Sequence, residues 1–181
     1  MTRITTLVFF SLAMLFTAVS VQAATVTFTS TINGGNSVPA NASTATGTAL
    51  MSFDDMTNLF NLSIDLVGLT KTTLTNSHIH LGASGATGGV ILGLGAGSSP
   101  NWTNTATGMS LALTGQTFPA ANVADLIAGN TYLNFHTAAF PGGEIRGQLV
   151  AAPVPIPAAA WLLGSGLIGL VGAARRKTAR S

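Results

Sequence analysis

A chain of 181 residues without cysteine has room for one ordinary domain and short flanking segments, and that domain must fold on its apolar core alone. The formal charge of +2 belongs to the ends: Arg3, Arg175, Arg176, Lys177 and Arg180 lie there, while only Lys71 and Arg146 stand between Ala24 and Pro153 against five acidic residues, Asp54, Asp55, Asp65, Asp125 and Glu144, a net charge of −3. An acidic middle excludes a nucleic-acid-binding domain, which needs a basic stripe on its folded surface.

Residues 1–23 read as a secretory signal peptide. Arg3 supplies the positive n-region and Leu7 to Val19 the apolar h-region. Val21-Gln22-Ala23 puts small or modest residues at −3 and −1, so cleavage is expected after Ala23, with Ala24 a near alternative. The apolar run is short for a membrane span.

The middle, 24–152, is rich in Thr, Ser, Asn, Gly and Ala and alternates with a period of two, the pattern of half-buried strands. Val26, Phe28, Ser30 and Ile32 alternate with polar residues; Ala49, Met51 and Phe53 follow; Phe60, Leu62, Ile64 and Leu66 alternate with Asn61, Ser63 and Asp65. Asp54-Asp55 reads as the turn between strands. Ser77 to Leu81 is a short strand, Val90 to Leu94 another, and Gly82 to Pro100 is otherwise a glycine-rich loop region. Met109, Leu111 and Leu113 mark a further strand. Phe118 to Gly129 breaks the pattern as one short helix, with Pro119 near its start and Gly129 at its stop. Leu133 and Phe135 alternate with Tyr132, Asn134 and His136, and Ile145, Gly147 and Leu149 with Glu144, Arg146 and Gln148. The expected fold is all-β, a Greek-key-like β-sandwich of seven or eight strands with one short helix.

The tail, 153–181, has three parts. Pro153, Pro155 and Pro157 make a stiff extended linker. Ala158 to Ala174 carries no charge and reads as a short transmembrane helix. Arg175-Arg176-Lys177 then stays cytoplasmic, which places the domain outside.

This tail resembles the PEP-CTERM type of sorting signal in its Val-Pro-Leu-Pro-Ala form, through Val154, Pro155, Ile156, Pro157, Ala158, the apolar run, and Arg175, Arg176 and Lys177. It departs from the pattern in lacking the Glu of Pro-Glu-Pro and in having Ile156 for Leu. The resemblance implies a Gram-negative bacterium that makes exopolysaccharide, and an exosortase-type membrane peptidase as partner. It implies transient anchoring in the inner membrane, with the domain on the periplasmic side, and then the cell surface or the extracellular space. The middle resembles the CHRD (chordin-type) domain, through Asn76-Ser77-His78-Ile79-His80-Leu81-Gly82, Thr131 to Thr137, and Phe140 to Leu149. That resemblance implies a non-enzymatic binding or structural module, with exopolysaccharide or a surface protein as candidate ligand.

All three histidines fall in these blocks. His78 and His80 share one face of a strand, and His136 takes the polar face of its own. If the two strands are neighbours, the three rings converge, and three neutral imidazoles suit copper or zinc. The bland alternative is that they hydrogen-bond loops or one another. The His-x-His pair with a later His also resembles the copper ligands of Cu/Zn superoxide dismutases. The loop after His80 holds no His or Asp for a zinc site, however, so a dismutase is not expected. Glu144 and Arg146 share a face, and a solvated pair or a hydrogen bond to His136 is the default. No nucleophile elbow, phosphate loop or opposed carboxylate pair appears. An exopolysaccharide hydrolase would rest on location alone.

Overall fold

The computed structural model describes residues 25–153. The expected signal peptide and the apolar sorting tail lie outside the described residues. Among those described, no helix is long and apolar enough to cross a membrane.

The first three strands form a meander. β1 (Thr25–Asn33), β2 (Thr46–Asp54) and β3 (Leu59–Val67) pair antiparallel in nearly full register, so Phe28, Met51 and Leu62 line up across them. Successive side chains point to opposite faces, which sends these apolar residues inward and the threonines of β1 out to solvent. The Asp54 carboxylate starts the β2–β3 turn by accepting from the backbone N–H groups of Met56 and Thr57 at 2.9 and 3.1 Å. This is the turn the sequence suggests.

β4 (Leu74–Leu81) and β5 (Val90–Gly93) belong to a second group of strands. β6 (Trp102–Asn104) and β7 (Gly108–Thr117) return to the first, with β7 on β3. The chain then passes through a 3₁₀ turn at Ala120–Asn122 and helix α1 (Val123–Ile127), which buries Leu126. Gly129, at a φ of 74°, ends it in the left-handed conformation that glycine adopts freely. β8 (Thr131–Thr137), β9 (Ile145–Gln148) and the two-residue β10 (Val150–Ala151) complete the domain.

Hydrogen bonding traces one antiparallel path, β5-β4-β8-β9-β1-β2-β3-β7-β6, with β10 also on β1. The join between the two groups is thin: β9 meets β1 through the single pair Asn33↔Arg146. The sheet curls there, and its far parts meet across the core. Trp102 of β6, 1 % exposed, stands edge-on to Phe135 of β8 with ring centroids 6.1 Å apart. Phe118, fully buried before α1, packs edge-on against Phe53 and Phe60 at 6.0 and 6.1 Å. Each such ring contributes about 1.5–3 kcal/mol by leaving water.

The all-β class and the one short helix agree with the sequence reading. Two features differ from it. Among the described residues the strands number ten instead of seven or eight, because β6 and β10 are three and two residues long, too short to display a period. In place of two separate sheets, one curled sheet runs through the Asn33↔Arg146 pair.

Candidate metal centre

Strand pairing decides where the histidines meet. β4 and β8 are neighbours, in a register that sets His78 opposite Asn134, His80 opposite Tyr132, and Asn76 opposite His136. The in-between residues Ser77, Ile79, Leu133 and Phe135 are buried on the inner face. All three imidazoles therefore stand on the outer face, as the alternation suggests, and the convergence that depends on neighbouring strands is met.

One ring nitrogen from each histidine lies within 4.8 Å of the others. His78 Nδ1 and His136 Nε2 are 3.2 Å apart. The spacing of two ligands on a tetrahedral centre with metal–nitrogen bonds near 2 Å is about 3.3 Å. The outward nitrogens are held by the backbone. His80 Nδ1 is 2.9 Å from the Gly88 carbonyl oxygen, and His136 Nδ1 is 2.9 Å from that of Pro141. A carbonyl only accepts, so both Nδ1 atoms carry the proton and both Nε2 atoms carry a lone pair. Such backbone carbonyls are the usual outer partners that fix the tautomer of metal-ligating histidines.

The Nε2 of His80 is buried and has no hydrogen-bond partner, although a polar atom withdrawn from water normally finds one. The Nε2 of His136 has two neighbours, His78 Nδ1 and, at 3.4 Å, Asn134 Nδ2. Burial pushes His78 below the ordinary histidine value, with His136 and then His80 adding to the shift. His80 is also lowered, first by burial; its bond to Gly88 opposes this, while His136 and Arg146 lower it further. Both rings are thus biased toward the neutral form that binds metal. The donor set is all nitrogen. Hard cations such as calcium and magnesium require oxygen ligands, whereas imidazole suits copper and zinc.

The sequence reading missed what covers this face. By composition the loop 82–89 is only part of a glycine-rich loop region, yet it is pinned over the outer face. Arg146 Nη1 donates to the Ala86 carbonyl at 2.7 Å and Nη2 to that of Ala83 at 2.9 Å. Gln148 Nε2 donates to the Gly82 carbonyl at 2.8 Å, and the Gly88 N–H to the Tyr132 hydroxyl at 3.2 Å. A Cβ at Gly88 would collide with the Leu81 carbonyl, so only glycine lets the loop lie this close. Arg146, His80 and Tyr132 form a stack: the guanidinium carbon is 3.4 Å from the Tyr132 centroid, and the His80 ring lies on Tyr132 at 5.0 Å and 15°.

The expected Glu144–Arg146 pair does not form. Glu144 accepts from the hydroxyls of Ser43 and Thr137 instead, at 2.7 and 2.5 Å, and makes no bond to His136. Burial lowers the Arg146 value, partly offset by Tyr132, but a guanidinium stays charged. The signal for Arg146 was its phase: it shares the outer face with Tyr132 and Asn134, on the strand next to them.

No curated protein and no solved structure matches the chain. A family model does, over residues 28–149, and it spans every strand that carries the cluster and its covering loop. That family is described as the CHRD domain and points to a binding or structural module; the chain belongs to the CHRD family.

Proposed function

We propose that this chain is an exported binding module whose CHRD domain holds one copper or zinc ion through His80 Nε2, His136 Nε2 and His78 Nδ1. The observation that carries the reading is the lone pair of His80 Nε2, buried, unpartnered and beside two other imidazole nitrogens. The His78–His136 hydrogen bond and the His80 bond to Gly88 account for a purely structural cluster except at His80 Nε2, which they leave without a partner. In the metal-free state His78 Nδ1 donates to His136 Nε2, so metal entry requires the neutral His78 ring to change tautomer, with its proton on Nε2 and the Nδ1 lone pair free for the metal.

The export part rests on the sequence. Cleavage after Ala23 frees the domain. The tail from Val154 to Lys177 anchors it in the inner membrane until an exosortase-type peptidase acts, and the product goes to the cell surface or the extracellular space.

Calorimetric titration of Cu(II) and Zn(II) into the purified full chain tests the metal site, with His80→Asn beside it. The expected result is one site and a loss in the variant exceeding about tenfold, the low end of what outer-shell partners alone produce. Equal affinity of variant and parent would sink it. Mass spectrometry of the mature protein from cells tests the export reading, and an N-terminus upstream of Val21 would contradict it.

A further inference from the structure

The three histidines leave a tetrahedral ion one ligand short. Each offers a single nitrogen, and no carboxylate belongs to the cluster. Glu144, the acidic residue just before β9, is committed to Ser43 and Thr137. Neutral imidazoles leave the full double charge on the ion. The Arg146 guanidinium, which faces His80, adds to the positive potential there. His78 and His136 are half-buried, so solvent reaches the site from their side. Centres with three protein ligands keep a fourth position for water or substrate.

The chain also sets a hydrogen-bond donor beside that position. Asn134 is directly opposite His78 across the β4–β8 ladder and two residues before His136 on the same outer face. It is 6 % exposed. A Cβ at Gly143 would collide with its amide, so backbone packs directly against the group and fixes its place. One Nδ2 hydrogen goes to the Gly142 carbonyl at 3.2 Å, which assigns the amide nitrogen to that side. The same nitrogen lies 3.4 Å from His136 Nε2. That ring nitrogen has one lone pair, and His78 Nδ1, closer at 3.2 Å, claims it in the metal-free state. In the loaded state the ion claims it. Either way the second N–H of Asn134 is left short of an acceptor, which buried polar groups normally avoid.

Resting on the metal reading above, we infer that the fourth position takes a small monoanion of the carboxylate class, bound to the ion through one atom and accepting from Asn134 Nδ2. Charge selects an anion, because the ion has only neutral protein ligands. The waiting N–H selects a donor atom that keeps a lone pair beside its metal bond, which a carboxylate oxygen does and an amine does not. Asn134 holds this ligand without touching the ion.

The full chain loaded with an equimolar amount of Cu(II) and titrated with sodium azide tests the assignment. Azide is a monoanion with the same acceptor pattern, and it gives a charge-transfer absorption only when bound to copper. A saturable new band is expected, and excess acetate should remove it. Asn134→Leu keeps all three nitrogen ligands, so Cu(II) affinity should hold while azide affinity falls about tenfold, the worth of one hydrogen bond to a charged group. That variant also frees the Gly142 carbonyl, so the nearly isosteric Asn134→Asp serves as a second probe. It sets a negative charge at the position and should abolish the band. An imidazole site binds Cu(II) at least as tightly as Zn(II), so a chain that takes up no Cu(II) overturns the metal reading and the anion assignment together. Cu(II) uptake with no azide band, a band that acetate leaves untouched, or full azide affinity in both variants overturns the anion assignment alone.

Discussion

Along β3 burial alternates residue by residue, whereas along β8 six of seven residues are buried and only His136 is half-buried. Both strands are central in the same sheet and both follow the two-residue period. The difference lies outside the sheet. The outer face of β3 meets water, so Asn61, Ser63 and Asp65 are ordinary solvated side chains. The outer face of β8 and of its neighbours β4 and β9 meets the 82–89 loop and the segment after Thr137, which bring backbone carbonyls onto His80, Asn134, His136 and Arg146. Polar groups under such a cover lose water and must be satisfied by fixed partners. That is why tautomers are set, histidine values shift and a guanidinium is trapped on one half of the sheet only.

The largest effect should come from the core that the two halves share. Phe135→Ala removes a ring that is 0 % exposed and the edge contact to Trp102, at an expected cost of about 3–5 kcal/mol. Leu50→Ala, on the water-facing side at 53 % exposure, should stay within about 0.5 kcal/mol. Urea denaturation of the full chain measures both, and similar losses would mean that the halves do not share one core.

A smaller loss tests the cover itself. Arg146→Met keeps an apolar stem on Tyr132 but leaves the Ala83 and Ala86 carbonyls without their donor. The expected cost is about 1–3 kcal/mol. Hydrogen exchange should speed up across 82–89 and not in β3, while Asp65→Ala on the open face should change neither. Unaltered exchange in the loop would show that Arg146 does not hold it.

The same contrast explains what the sequence could reveal. Alternation places Phe60, Leu62, Ile64 and Leu66 inside, and correctly puts His78, His80 and His136 on outer faces, because that inference needs only the period of two. It cannot say whether an outward residue meets water or a loop. Arg146 therefore reads as a solvated partner of Glu144, although it is buried under backbone. Glycine content fails in a related way. It marks 82–100 only as loop, when at Gly88 it serves close approach to the Leu81 carbonyl. The neighbour relation of β4 and β8, on which the histidine cluster depends, is a pairing between distant segments that no local pattern encodes. β6 is too short to announce itself, yet it supplies the buried Trp102.

The smallest effect expected is a pH dependence confined to the covered half. In the unfolded chain the histidines titrate near the ordinary value of 6.5; in the folded domain burial and neighbouring positive groups hold His78 and His80 below it. Between those values the unfolded chain binds more protons, so metal-free stability rises with pH through that window and is lost as pH falls below about 6.5. The loss is modest, because His78 is only half-buried and solvent screens its interactions. His78 faces His136 and His80, and His80 faces His136 and Arg146, so each protonation adds a like charge to a cluster with no carboxylate among its groups. Thermal unfolding of the metal-free full chain from pH 7.5 to 5.5 should show a falling midpoint that flattens in the His78→Asn/His80→Asn variant. If the variant keeps the parent's slope, the cover over β8 does not set the protonation of these rings, and the contrast between the two halves is one of packing alone.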